Sequence, residues 1–197
     1  MSYSEKFHCQ WWGQPRTGSR VLVPIQQILG FSDCNTHDCN IKDPSWDTII
    51  TVRNPYSRMV SFWLLRHRLE SSENKNVTFD QWVNQNNEYY WIKDDHPWNP
   101  ISKLKSLKGK VHTISNENVL EDLMKLTFIT ENLTIIQQYV DRIERDRHLD
   151  RKEYLIDQNL PYSNFYNQKL ADIVYENKKE EFHTWGYEKD SWRYLRI

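Results

Sequence analysis

The chain has 197 residues, of which 38% are hydrophobic and 27% charged, and its formal net charge is −1. A chain of this length suits a single domain, predicted over residues 1–197, and can bury a substantial core. The near-neutral charge excludes a nucleic-acid-binding protein that relies on a broad positive surface. The polar start at residues 1–6 and the lack of a long apolar run predict no signal peptide and no membrane span, hence a cytoplasmic protein.

The first predicted strand, residues 7–12, leads into a glycine-containing loop at residues 13–20, G-Q-P-R-T-G-S-R. A helical run at residues 21–29 follows and stops at Gly30. A strand, such a loop and a helix in this order present backbone N–H groups and a helix N-terminus to an anion. The spacing is nearly that of a P-loop, but Ser19 stands where that motif has lysine. The sequence therefore predicts a phosphate loop that does not handle Mg-ATP.

Residues 31–40, F-S-D-C-N-T-H-D-C-N, are predicted to run along the sheet. Cys34, His37 and Cys39 have the side-chain types that bind zinc, but in an extended segment Cys34 points away from the other two. The pattern thus predicts buried thiols and no metal site, and three cysteines are too few for a disulfide framework. A histidine such as His37 titrates near neutrality and can accept a proton from a hydroxyl group.

A β-branched run at residues 49–52 predicts a buried strand that ends at Arg53. Asn54 is suited to cap the following helix, and Pro55 to occupy its first position. Ser61 would lie two turns into that helix. Open α/β sheets bind ligands at the carboxyl ends of their strands, where a guanidinium and a hydroxyl suit a phosphate. An arginine at a strand end is also a common surface ion-pair partner, so the residues alone leave both roles open.

The rest of the chain predicts four further helices, one strand and two loops. Thr78 caps a short helix at residues 78–83, a strand covers residues 110–114, and a helix with an acidic first turn covers residues 115–123. A closing helix is predicted at residues 168–182, and turn-rich loops at 84–100 and 157–167. A longer helix at residues 134–147 is expected to bury one apolar face, formed by Ile135, Ile136, Tyr139, Val140 and Ile143.

Residues 53–63, R-N-P-Y-S-R-M-V-S-F-W, resemble the 3′-phosphate-binding motif of sulfotransferases, most closely in the carbohydrate (Golgi-type) branch. That family spaces its phosphate-binding arginine and serine eight residues apart, as Arg53 and Ser61 are spaced here. The family's loop for the 5′-phosphosulfate, P-K-x-G-[ST]-[ST], is resembled by residues 15–20, P-R-T-G-S-R. Arg16 stands at the position of the family lysine and keeps its positive charge.

The resemblance implies an α/β three-layer sandwich with a mainly parallel central sheet, the P-loop-like sulfotransferase fold. It implies 3′-phosphoadenosine 5′-phosphosulfate as the donor and 3′,5′-adenosine bisphosphate as the product. His37 and Arg16 are the implied catalytic residues, with Asp33 and Asp38 as alternative bases. The implied donor contacts are Arg16, Thr17, Gly18, Ser19, Arg20, Arg53, Ser61, Tyr162 and Ser163.

The expected activity is transfer of a sulfuryl group to a hydroxyl or amine acceptor, on a carbohydrate or a small molecule. Two alternatives stay open. In the first, the loop acts as a P-loop and the chain is a nucleotide or small-molecule kinase. In the second, Arg16 does not replace the family lysine and the chain is an inactive nucleotide-binding module. A response to 3′,5′-adenosine bisphosphate but not to Mg-ATP separates the first alternative from the sulfotransferase.

Overall fold

The structure, a computed structural model, describes residues 1–14, 17–32, 40–69, 77–84, 99–150 and 164–194. It divides into two compact units. Unit 1 comprises Met1–Arg53 and Lys93–Asp146, and unit 2 comprises Asn54–Ile92 and Arg147–Ile197. A single domain can contain two such units, so the one domain expected over residues 1–197 stays a prediction.

Unit 1 is built on a four-stranded sheet in the order β1-β2-β3-β4. The strands are β1 (Ser2–Ser4), β2 (Cys9–Gly13), β3 (Asp47–Val52) and β4 (Val111–Ser115). β1 runs antiparallel to β2, whereas β2, β3 and β4 are parallel to one another. An α/β fold with a mainly parallel sheet is therefore confirmed, while the three layers and the P-loop-like sulfotransferase fold stay predictions.

The strands expected at residues 7–12, 49–52 and 110–114 are confirmed as β2, β3 and β4, with ends shifted by at most two residues. The sequence does not predict β1, because Ser2, Tyr3 and Ser4 show no apolar run. Pairing with β2 forms this strand, and Tyr3 exchanges two backbone hydrogen bonds with Ser32, of 3.2 and 2.8 Å. Of the strand expected at residues 31–40, residues 33–39 lie outside the described part.

The described helices are, in chain order, α1 (Ser19–Ile28), α2 (Pro55–Leu69), α3 (Phe79–Asn84), α4 (Val119–Met124), α5 (Leu133–Asp150) and α6 (Gln168–Trp185). Short 3-10 turns occur at Ile101–Ser106, Thr127–Asn132 and Ser191–Arg193. These helices confirm the predicted ones except at the start of α4. The sequence places that start at Ser115, but Ser115 still pairs with Val52 in the sheet.

The core of unit 1 lies between the sheet and helices α1, α4 and α5. Its buried side chains are Cys9, Trp11, Val21, Leu22, Ile25, Leu29, Phe31, Ile49, Ile114, Val119, Leu123, Leu126, Ile136 and Val140. In α5, Ile136 and Val140 define the buried face because they lie one turn apart. Ile135 is 53% exposed, so its predicted place on that face is wrong.

In unit 2, α2, α3, α6 and the 3-10 turn at Ser191–Arg193 pack around an aromatic core. The predicted caps are confirmed: the Asn54 side chain accepts from the Tyr56 N–H at 3.0 Å. Thr78 and Gln81 form a reciprocal capping box of 3.0 and 3.2 Å. Each cap satisfies backbone N–H groups that the first turn of a helix leaves without acceptors.

Candidate functional site

The glycine turn, which we define as the described residues Gln14, Thr17 and Gly18 between β2 and α1, starts the candidate site in unit 1. The Thr17 N–H and hydroxyl both donate to the Gln14 carbonyl, at 3.3 and 2.6 Å, and Thr17 is buried. Gly18 caps α1, and its carbonyl accepts from the N–H groups of Val21 and Leu22. The backbone amides that come before the first hydrogen bond of a helix are the ones that can bind an anion at its N-terminus.

Two physical reasons favour glycine at position 18. Its φ of +97° lies in the left-handed region, where a side chain is strained. A Cβ atom at Gly18 would also lie 2.2 Å from Oδ1 of Asn116. The sequence predicts this glycine as part of a phosphate loop, but it carries no local signal for the contact with Asn116.

Arg53 directly follows β3, the strand next to β2. In the parallel register Gly13 lies opposite Thr51, so β2 and β3 end at the same edge of the sheet. Trp11 ties the two strands together there, because its indole N–H donates to the Thr51 hydroxyl at 2.8 Å. The glycine turn and Arg53 therefore both begin at the carboxyl edge of the parallel strands, where ligands of open α/β sheets bind.

The third parallel strand ends at the same edge. Ser115, the last residue of β4, lies opposite Val52, and the Asn116 N–H donates to the Val52 carbonyl at 2.9 Å. The Ser115 N–H donates to the Asp122 carboxylate at 2.8 Å, which joins the strand end to α4. Asp122 thus has a structural role at this edge of the sheet.

The predicted pair of Arg53 and Ser61 is divided between the two units. Arg53 is a partly exposed residue of unit 1, and Ser61 is a buried residue of α2 in unit 2. Arg53 and Ser61 each take part in at least one hydrogen bond, ion pair or other contact. Their joint binding of one phosphate stays a prediction.

The second arginine of the R-N-P-Y-S-R motif has a structural role in unit 2. Arg58 is 1% exposed, and its Nη2 donates to Oε1 of Glu181 in α6 at 2.7 Å. The Lys178 ammonium lies 3.3 Å from the same oxygen, and both partners are buried. Burial raises the pKa of Glu181, but the charges of Arg58 and Lys178 outweigh it, so the pKa of this carboxyl lies below its ordinary value.

The residues on both sides of the segment 33–39 are held to the sheet of unit 1. Tyr3 pairs with Ser32 before the segment, and the Trp12 indole donates to the Asn40 carbonyl after it, at 3.2 Å. The buried Gln10 side chain accepts from the Lys42 N–H at 2.8 Å and donates to the Asp43 carbonyl at 3.1 Å. Two side chains of β2 thus position the chain that leads into β3.

Several predicted site residues lie outside the described part of the chain: Arg16, Asp33, His37, Asp38, Tyr162 and Ser163. Ser19 and Arg20 are described as the first two residues of α1, which gives their backbone but not their side chains. The roles assigned to all of these residues stay predictions.

Metal-binding residue types are dispersed in the described ranges, where no three histidine, cysteine, aspartate or glutamate side chains are grouped to hold an ion. Cys34, His37 and Cys39 fall outside those ranges. Burial, with a smaller contribution from Asp47, raises the pKa of the Cys9 thiol to about 12, so this thiol is protonated and unreactive at neutral pH. Within the same ranges, no helix has both the length and the apolar character needed to cross a membrane.

Comparisons of the chain with protein-family models, curated proteins and solved structures gave no match. Function is therefore inferred from the sequence motifs and from the geometry of the glycine turn, Arg53 and Asn116.

Proposed function

We propose that this chain is a sulfotransferase that uses 3′-phosphoadenosine 5′-phosphosulfate and transfers the sulfuryl group to a hydroxyl or amine of a carbohydrate or small molecule. One observation carries the proposal. The glycine turn and Arg53 follow neighbouring parallel strands whose ends, Gly13 and Thr51, are paired. A nucleotide with anionic groups at both its 3′ and 5′ ends needs two such anion sites, side by side but separate.

At the 5′ end of the donor, the proposed contacts are the backbone amides of Gly18, Ser19 and Arg20, while the Thr17 N–H and hydroxyl hold the turn together through the Gln14 carbonyl. Gly18 begins α1 in a left-handed conformation, and the helix N-terminus adds a partial positive charge. Arg16 would supply the full positive charge that the family lysine supplies. Tyr162 and Ser163 are further proposed contacts of the nucleotide.

At the 3′ end of the donor, Arg53 is the proposed partner of the phosphate that distinguishes this nucleotide from ATP. A guanidinium donates two parallel hydrogen bonds to phosphate oxygens and stays charged at every physiological pH. Ser61 is the second proposed contact, carried over from the family motif.

The proposed reaction is an in-line transfer. The bond between sulfur and the 5′-phosphate oxygen breaks as a new bond forms from sulfur to the acceptor oxygen or nitrogen, and His37 takes the acceptor's proton. Arg16 stabilises the charge that develops on the departing phosphate. The products are the sulfated acceptor and 3′,5′-adenosine bisphosphate.

Ligand-induced stabilisation tests the nucleotide class. We expect 3′,5′-adenosine bisphosphate at 100 times its Kd to stabilise the protein by about 2.7 kcal/mol, or roughly 5 to 10 °C in Tm for a chain of this size. Mg-ATP at the same concentration should leave Tm unchanged, because the loop has no P-loop lysine. Differential scanning fluorimetry measures both, and stabilisation by Mg-ATP alone would favour a kinase instead.

Replacing His37 with alanine tests whether the chain is an enzyme or a binding module. We expect His37→Ala to bind 3′,5′-adenosine bisphosphate as the unmodified chain does and to lose most sulfuryl transfer, by about 100-fold or more, because the acceptor keeps its proton. Transfer of radiolabelled sulfate to a mixed panel of acceptors measures the activity. Equal turnover by both proteins would remove His37 from the mechanism.

A further inference from the structure

Asn116 connects the ends of all three parallel strands in unit 1. Its backbone N–H donates to the Val52 carbonyl at 2.9 Å, directly before Arg53. Its side chain packs on the glycine turn after β2, since a Cβ atom built on Gly18 would lie 2.2 Å from Oδ1 and 3.3 Å from Cγ. Asn116 itself is the first residue after β4.

The carboxamide oxygen of Asn116 is buried and accepts no hydrogen bond from the described residues. This oxygen lies close to where the Cβ atom of any other residue at position 18 would be, so a Cα–H bond of Gly18 points toward the oxygen. Such a Cα–H···O contact is weak, and burying an acceptor without a strong donor costs stability. Buried oxygens without a hydrogen-bond donor are rare in folded proteins, so this one, next to the end of β4, calls for a functional explanation.

We propose that Asn116 is a positioning residue for the 5′-phosphate of the donor. Its carboxamide holds Gly18 in the left-handed conformation from which α1 starts, and so fixes the direction of the amides that bind the phosphate. Its backbone bond to Val52 links the same residue to the strand end that bears Arg53. This inference rests on the proposed function and identifies the residue that controls one of its two anion sites.

The role makes a specific prediction about two ligands that differ only at the 5′ end. Removing the Asn116 carboxamide should weaken binding of 3′,5′-adenosine bisphosphate, whose 5′-phosphate needs the glycine turn. Binding of adenosine 3′-monophosphate should not change, because that ligand has no 5′-phosphate. A purely structural role would weaken both ligands alike, or neither.

Isothermal titration calorimetry with both ligands tests this on the full chain. We expect Asn116→Ala to weaken the bisphosphate about tenfold, the scale seen when a partner that orients a ligand-holding group is removed, and to change the monophosphate less than about twofold. Asn118→Ala is the matched control, because Asn118 lies in the same turn, is exposed and makes no capping bond through its side chain. Asn116→Ser, which also removes Oδ1, replaces Asn116→Ala if the latter does not fold.

A second measurement tests the contact without any nucleotide. Gly18→Ala should lower Tm in the unmodified chain and lower it less in the Asn116→Ala background, where the clash with Oδ1 is gone and only the strain of a positive φ remains. Equal drops in the two backgrounds would overturn the contact.

The outcomes separate this inference from the proposed function. The positioning role is overturned if Asn116→Ala binds the bisphosphate as tightly as the unmodified chain does, or if its affinity for both ligands falls equally. Either result leaves the proposed function intact. Failure of the unmodified chain to bind either ligand overturns both.

Discussion

Replacing Arg53 with alanine is expected to reduce the affinity for 3′,5′-adenosine bisphosphate by about 100-fold or more. The guanidinium would lose two charge-assisted hydrogen bonds to the 3′-phosphate, together about 3 kcal/mol, which corresponds to that factor. The free energy of unfolding should change by no more than about 1 kcal/mol, because Arg53 is partly exposed. Isothermal titration calorimetry and urea denaturation measure the two quantities.

Two further variants make the Arg53 result specific. Arg53→Lys keeps the charge but loses the planar fork, so we expect a smaller loss of about tenfold. Arg193→Ala removes an exposed arginine of unit 2 that pairs with Asp190, and should leave the affinity unchanged. Bisphosphate binding by Arg53→Ala at the unmodified strength would contradict the assignment of this residue to the 3′-phosphate.

Replacing Arg58 with alanine is expected to lower the free energy of unfolding by about 3 to 5 kcal/mol, the cost of leaving one member of a buried ion pair without its partner. Glu181 would then remain buried in α6 with only Lys178 beside it. Urea denaturation followed by tryptophan fluorescence measures this loss, because Trp82 and Trp192 belong to the core of unit 2 and Trp11 to that of unit 1. A loss below about 1 kcal/mol would contradict the structural role.

The pH dependence of the Arg58→Ala variant provides an internal check. In the unmodified chain the folded-state pKa of Glu181 lies below its ordinary value of 4.5. Its contribution to stability is therefore present above pH 4.5 and is lost as the pH falls through the folded-state pKa. Without Arg58 this lowering of the pKa is smaller or reversed, so the difference in stability between the two proteins should shrink as the pH falls and the carboxyl becomes protonated.

A second variant separates the missing charge from missing packing. Arg58→Met removes the guanidinium but keeps most of the side-chain volume and leaves the pair of Glu181 and Lys178 in place. We expect Arg58→Met to lose less stability than Arg58→Ala, because it leaves a smaller cavity.

Local sequence signals located most elements of the fold. β3 was predictable from its β-branched run, and the starts of α2 and α3 from Asn54, Pro55 and Thr78, because capping and backbone propensity act within a few residues. The glycine turn was predictable for the same reason, since glycine readily adopts a positive φ. Each of these signals is contained in the segment that it describes.

Other features depend on residues that are distant in the chain. β1 carries no strand signal of its own and forms by pairing with β2. Ile135 fits the apolar pattern of α5, but the packing of Ile136 and Val140 within the core of unit 1 decides which face is buried. A periodic pattern shows that a helix has an apolar face and not where that face ends.

By itself, the sequence determined the order of strands and helices, the glycine turn and the place of Arg53 at a strand end, because these follow from short-range backbone preferences. Only the tertiary structure decided that the turn and Arg53 leave neighbouring strands at one edge, and that Asn116 packs on Gly18. It also decided that Arg58 is buried against Glu181, 123 residues away. No local propensity encodes such pairings, because they arise when distant segments exclude water together.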